Sequence, residues 1–166
     1  MVENLIETYS LTKNYGDFTA VDELNMEVHE GEIFGFLGPN GAGKTTTILM
    51  LMGLSVPSSG SAIVAGYDII EHSRDVRRIA SVLPEYSSLY GELTAAQNLD
   101  FVGKLNDLTN DVREERIGEM LDIVGMSEWA DEKYEKFSRG MKQRVGIAAA
   151  LVKQPKIVFL DEPTLG

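Results

Sequence analysis

"EIFGFLGPNGAGKTTTILMLMGLS", residues 32–55, changes character twice. Glu32–Leu37 is an apolar run of strand length, the next six residues are rich in glycine, and apolar residues return at helical spacing after Lys44. This predicts a short buried strand, a loop and an apolar-faced helix. Gly38-Pro39-Asn40-Gly41-Ala42-Gly43-Lys44-Thr45 fits G-x-x-x-x-G-K-[ST], a loop whose glycines let successive N–H groups point inward around a phosphate. The N-terminus of the following helix adds partial positive charge. Lys44 would reach the β- and γ-phosphates, and the Thr45 hydroxyl would ligate Mg²⁺. A glycine-rich turn that binds nothing is the alternative, and it needs no strand before it or helix after it.

Downstream, "IVFLDE" (157–162) is a hydrophobic strand that runs into two acids. Asp161 is placed to hold Mg²⁺ and Glu162 to polarise an attacking water, although such a pair standing alone is more often a solvated turn. Upstream, residues 5–28 alternate apolar and polar in two stretches around Tyr15-Gly16, which predicts strand, turn, strand. "SGSAIVAGYDI" (59–69) and "IASVL" (79–83) read as short strands on either side of the charged helical stretch "EHSRDVRR". From Leu93 to about Trp129 the pattern is helical, with Leu99, Val102, Gly103 and Leu105 in one segment. Ile117, Met120, Leu121 and Val124 follow at i, i+3, i+4, i+7. A further helix is expected in 138–154, stopped before Pro155, and a last strand in 156–160. There are no internal repeats and no low-complexity tract.

With 166 residues the chain suits one domain with a real core. Its 15 Lys+Arg against 26 Asp+Glu give a net charge of −11, so nucleic acid is not an expected partner. The absence of cysteine excludes disulfides and thiolate metal sites. No apolar run approaches the roughly 20 residues needed to span a bilayer, so any membrane connection would come through a partner.

"GPNGAGKTT" (Gly38 to Thr46), "FSRGM" (Phe137 to Met141), "IVFLDEPT" (Ile157 to Thr164) and "NYG" (Asn14 to Gly16) together resemble the nucleotide-binding domain of the ATP-binding cassette (ABC) family. The resemblance covers essentially the whole chain and is greatest to cytosolic ATPase subunits of prokaryotic ABC-type exporters. It implies an α/β P-loop NTPase (RecA-like) core with an N-terminal antiparallel β subdomain and an inserted α-helical subdomain. Residues 1–166 would form one ATP-binding domain, with 1–91 and 154–166 as core and β subdomain and 92–153 as the helical subdomain. ATP and Mg²⁺ are the implied cofactors. Tyr15 would stack on adenine, and Gly38, Pro39, Asn40, Gly41, Ala42, Gly43, Lys44, Thr45 and Thr46 would hold the phosphates. Ser138, Arg139, Gly140 and Met141, at the start of a helix, would offer backbone N–H groups to the γ-phosphate of a second protomer. Ser138 is at the same time an ordinary helix N-cap. A homodimer or pseudo-dimer, a transmembrane transporter subunit as partner, and a cytoplasmic location on the inner face of the membrane follow from the same resemblance.

Three departures qualify it. Glu85 stands where the family usually has a Gln that meets Mg²⁺. A carboxylate there would strengthen metal binding and repel a metal-free triphosphate, which makes a steep Mg²⁺ dependence the expectation. Arg139 and Met141 replace the common Gly and Gln of the signature. The family's loop Asp and switch His fall at positions beyond Gly166, and neither His29 nor His72 can be carried over as the switch residue. Core strands expected beyond Gly166 would leave a gap in the parallel sheet, so a truncated ATPase, unstable in isolation, is the expectation. The leading function is ATP hydrolysis that powers transport, coupled through 86–93, whose tyrosines and leucines suit either docking or core packing. Two other readings are a truncated non-catalytic nucleotide-binding fragment and a soluble non-transport ABC ATPase. The latter lacks the tandem cassettes and basic patches usual there. A small-molecule kinase would have no role for the acid pair and the signature.

Overall fold

The computed structural model describes residues 4–84 and 89–161. The chain divides into two compact units, Met1–Arg78 and Ile79–Gly166. In the first, β1 (Asn4–Tyr15) and β2 (Phe18–His29) form the expected antiparallel hairpin, with Tyr15 opposite Phe18 and Gly16 in the left-handed region that a two-residue connection requires. β3 (Ser59–Val64) and β4 (Tyr67–Asp68) complete a sheet of order β2-β1-β3-β4.

The β1–β2 register slips twice between Thr8 and Lys13. Ser10 and Glu23 take positive φ there, and side chains satisfy the backbone groups that the ladder loses. Asn25 Oδ1 accepts from Ser10 N–H at 2.8 Å, and Thr12 Oγ1 accepts from Glu23 N–H at 3.0 Å. The Thr8 hydroxyl donates to Leu24 O at 2.9 Å. Helix α1 (Lys44–Leu51) packs on β2 and β3 and buries Thr47, Met50 and Leu51. Helix α2 (Ser73–Ile79) buries Val76, and its Arg77 donates to Gly53 O at 2.9 Å.

The buried strand expected at residues 32–37 does not form. Residues 33–37 pair with no strand among the described residues, and Ile33 and Leu37 are 101% and 93% exposed. An apolar run has strand character only when a neighbouring strand satisfies its N–H and C=O groups, and among the described residues none pairs with this one.

In the second unit β5 (Ala80–Leu83) and β6 (Ile157–Leu160) pair in parallel, with Leu83 opposite Leu160. Three helices, α3 (Ala95–Leu105), α4 (Asn110–Ile123) and α5 (Arg139–Leu151), share a core that includes Leu99, Met120, Leu121, Met126, Phe137 and Val145. The helical stripe holds for α4, where Ile117 and Val124 flank this core, whereas Leu105 of α3 faces solvent. Thr94 and Gln97 form a capping box at the start of α3.

Fully buried Asn98 returns to the preceding loop: its Oδ1 accepts from Tyr90 N–H at 2.8 Å, and its Nδ2 donates to Tyr90 O at 2.9 Å and Thr94 O at 3.0 Å. Within 86–93, residues 86–88 lie outside the described residues. Tyr90 packs edge-on against Phe101 while staying half-exposed.

Arg113 of α4 ties the helices together by donating to Asp100 at 2.7 Å and to Leu108 O at 2.7 Å. Lys104 Nζ lies 2.6 Å from the other carboxylate oxygen. The hydrogen bond from Lys104, then that from Arg113, hold the Asp100 carboxyl below its ordinary value. A lowered folded-state value stabilises above the unfolded carboxylate value of about 3.9 and is lost as pH falls through the folded one. Asp100→Asn should therefore melt below the unaltered protein at neutral pH. The gap should begin to shrink as pH falls below about 4 and close only below the lowered folded-state value, as followed by circular dichroism. A gap independent of pH would contradict this.

Candidate functional site

The phosphate loop and Tyr15 lie in the first unit. Ala42 N–H donates to Pro39 O at 3.1 Å and closes a turn, and Gly41 and Gly43 both take φ +82°. Left-handed glycines on either side of Ala42, whose φ is not positive, suit the alternation by which an anion nest turns N–H groups toward one side. Gly43 immediately precedes α1, whose start has no side-chain cap. Lys44 folds back over the loop, donating to Gly38 O at 2.8 Å and Pro39 O at 3.0 Å. Thr47 N–H and its hydroxyl both bond Gly43 O, which fixes the first helical turn. Asn40 and Thr46 lie in the same exposed-to-intermediate surface.

Gly43 is also where the loop meets the sheet. A Cβ there would lie 2.2 Å from Ala20 O and 2.9 Å from Val21 Cγ2. In the β1–β2 register Lys13 faces Val21, so the loop is seated two residues from Tyr15 on the neighbouring strand. The Tyr15 ring is 52% exposed at the hairpin end, and Lys13 Nζ lies 5.1 Å from its centroid. Lys13 was not among the expected residues. Its position two before Tyr15 on a strand, hence on the same face, was the available signal.

The other predicted residues lie in the second unit. Asp161 is buried at the carboxyl ends of β5 and β6, its N–H donating to Leu83 O at 3.0 Å. Ligands of parallel α/β sheets gather at this end. Ser138 is the N-cap of α5, its hydroxyl oxygen accepting from Met141 N–H at 3.3 Å. Met141's N–H is thus held by Ser138, and its side chain leans on the helical core. Arg139 and Gly140 are exposed, and nothing lies within 4 Å of a Cβ built on Gly140. Buried Phe137, edge-on to Tyr134, anchors the loop from below. Glu85 and Glu162 lie outside the described residues.

Among the described residues no cluster of three His, Cys, Asp or Glu could hold a metal by itself, and no helix is long and apolar enough to cross a membrane. Taken separately, the Thr45 hydroxyl in the first unit and the Asp161 carboxylate in the second are oxygen donors of the hard kind that Mg²⁺ takes.

A family model described as ABC transporter matches residues 21–165. The probable multidrug ABC transporter ATP-binding protein YbhF of Escherichia coli (strain K12) is 44% identical over 164 residues, 99% of this chain and 28% of that protein. The bacitracin transport ATP-binding protein BcrA of Bacillus licheniformis is 44% identical over 166 residues, 99% of this chain and 53% of that protein. The chain thus spans about half or less of the length of these relatives. A solved ATP-binding subunit of an ABC transporter superposes with a TM-score of 0.86 at 31% identity, covering 97% of this chain and 67% of that one.

Proposed function

Since the chain belongs to the ABC transporter family, we propose that it binds Mg·ATP and supplies the hydrolytic step that drives a membrane-embedded transport subunit. The observation that carries this reading is the phosphate loop: two left-handed glycines, an uncapped helix start and the Lys44 ammonium held over the loop by Gly38 O and Pro39 O. Incoming phosphates would exchange those carbonyls for stronger, charge-assisted partners. In this reading Tyr15 stacks on adenine, and Gly38 to Thr46 hold the phosphates. Thr45, Asp161 and Glu85 serve Mg²⁺, and Glu162 polarises the attacking water.

Mg²⁺ held by these residues would neutralise charge on the phosphates. Ser138 to Met141 serve the γ-phosphate of a second protomer, the exposed Gly140 leaving room for close approach. Residues 92–153 act as the helical subdomain between the protomer's core and its membrane partner, on the inner face of the membrane. Export as the direction is supported by the name of one relative, a Nod factor export ATP-binding protein of Cupriavidus pinatubonensis that is 36% identical.

The test is ATP binding by calorimetry with Mg²⁺ and with EDTA. Binding in Mg²⁺ that weakens sharply in EDTA is expected, because Glu85 would then repel the bare triphosphate. Affinity unchanged by EDTA removes the role of Glu85. No ATP binding by a protein that melts cooperatively overturns the reading as a whole.

A further inference from the structure

The two faces of the Tyr15 ring are not equivalent. Lys13 Nζ stands 5.1 Å from the ring centroid, and the same ammonium donates to Val56 O at 2.6 Å. The segment that provides this carbonyl is itself stitched to the hairpin: Ser58 N–H donates to Thr12 O at 2.8 Å, and Asn14 N–H donates to Ser58 Oγ at 2.9 Å. Lys13 is thus a cation fixed at three points, its own strand, the Val56 carbonyl and the ring face.

We propose that Lys13 is a positioning residue for the nucleotide base, occupying one face of Tyr15 so that the opposite face is the stacking platform. This rests on the reading that the chain binds ATP through Tyr15 and the phosphate loop. Two effects of the ammonium favour stacking. It limits the ring's rotation, so less freedom is lost when a base arrives. It also draws the ring's π-density toward itself, which leaves the opposite face less repulsive to the electron-rich face of a purine. The tether to Val56 matters because an untethered lysine on a half-exposed ring would exchange it for water.

The experiment compares ATP with inorganic tripolyphosphate, which carries the phosphates and no base, by calorimetry on the purified protein in Mg²⁺. Lys13→Ala should weaken ATP binding about two- to five-fold, the size of an exposed cation–π contact, and leave tripolyphosphate binding unchanged. Lys13→Arg should retain ATP affinity, and Lys13→Ala should cost nothing further in a Tyr15→Ala background. An equal loss for both ligands would mean that Lys13 acts on the phosphates or on the fold, and the proposal would fall. Tighter ATP binding by Lys13→Ala would show the ammonium competing with the base for the ring, and would also overturn it. If the unaltered protein binds tripolyphosphate but ATP no more tightly, the base does not stack and Lys13 has nothing to position. If it binds neither, the nucleotide reading itself fails and takes this inference with it.

Discussion

Gly43→Ala should lower the melting temperature by about 6–12 °C, the shift that follows from about 3 kcal/mol in a chain of this length, and should abolish ATP binding. Two costs add at this residue. Its φ of +82° lies in the left-handed region, where a Cβ costs roughly 1–2 kcal/mol. The new methyl would also stand 2.2 Å from Ala20 O and 2.9 Å from Val21 Cγ2, an overlap relieved only by moving α1 off β2, at roughly 1–3 kcal/mol. The obstacle is strand backbone and not the end of a flexible side chain, so relaxation is poor.

Gly41→Ala is the control: its φ is also +82°, but nothing lies within 4 Å of its Cβ position. It should bear the backbone cost alone, roughly 1–2 kcal/mol. Equal melting temperatures for the two variants would show that the loop is not seated on β2 as described.

Lys44→Ala should leave the melting temperature nearly unchanged and weaken ATP binding by about ten- to a hundred-fold, the value of one charged hydrogen-bonding partner. The side chain lies at the surface and bonds only carbonyls of its own loop, so removing it leaves no buried group unpaired. In the proposed role, what would be lost is the compact cation that meets the phosphates as a point charge. Lys44→Arg should not restore it, because the planar guanidinium is larger and directs its donors differently. Calorimetry with a parallel thermal melt separates the outcomes. Unaltered ATP affinity would place the nucleotide elsewhere, whereas a large drop in stability would assign Lys44 to the fold and not to the ligand.

What was legible in the sequence was mostly local. The hairpin turn at Gly16, the glycine loop that ends in Lys44, and the N-cap at Ser138 each depend on a few consecutive residues whose backbone preferences leave little choice. The four-residue stripe from Ile117 to Val124 likewise forecast the buried face of α4. Residues 33–37 misled because hydrophobicity announces a strand without showing whether partners exist for its backbone. The slips between Thr8 and Lys13 were not legible because they depend on Thr8, Thr12 and Asn25 reaching across to the neighbouring strand, and alternation carries no sign of them.

By itself the sequence determined the family, the fold class and the chemical character of the phosphate loop, since these rest on residue types at fixed short spacings that the backbone reads directly. Only the tertiary structure decided that Gly43 is pressed against β2, that Arg113 bridges α3 and α4 through Asp100, and that Lys13 closes one face of Tyr15. Each of these is a contact between segments distant in the chain or a choice of side-chain direction. Such contacts depend on where packing brings two surfaces together, and no local pattern encodes that meeting.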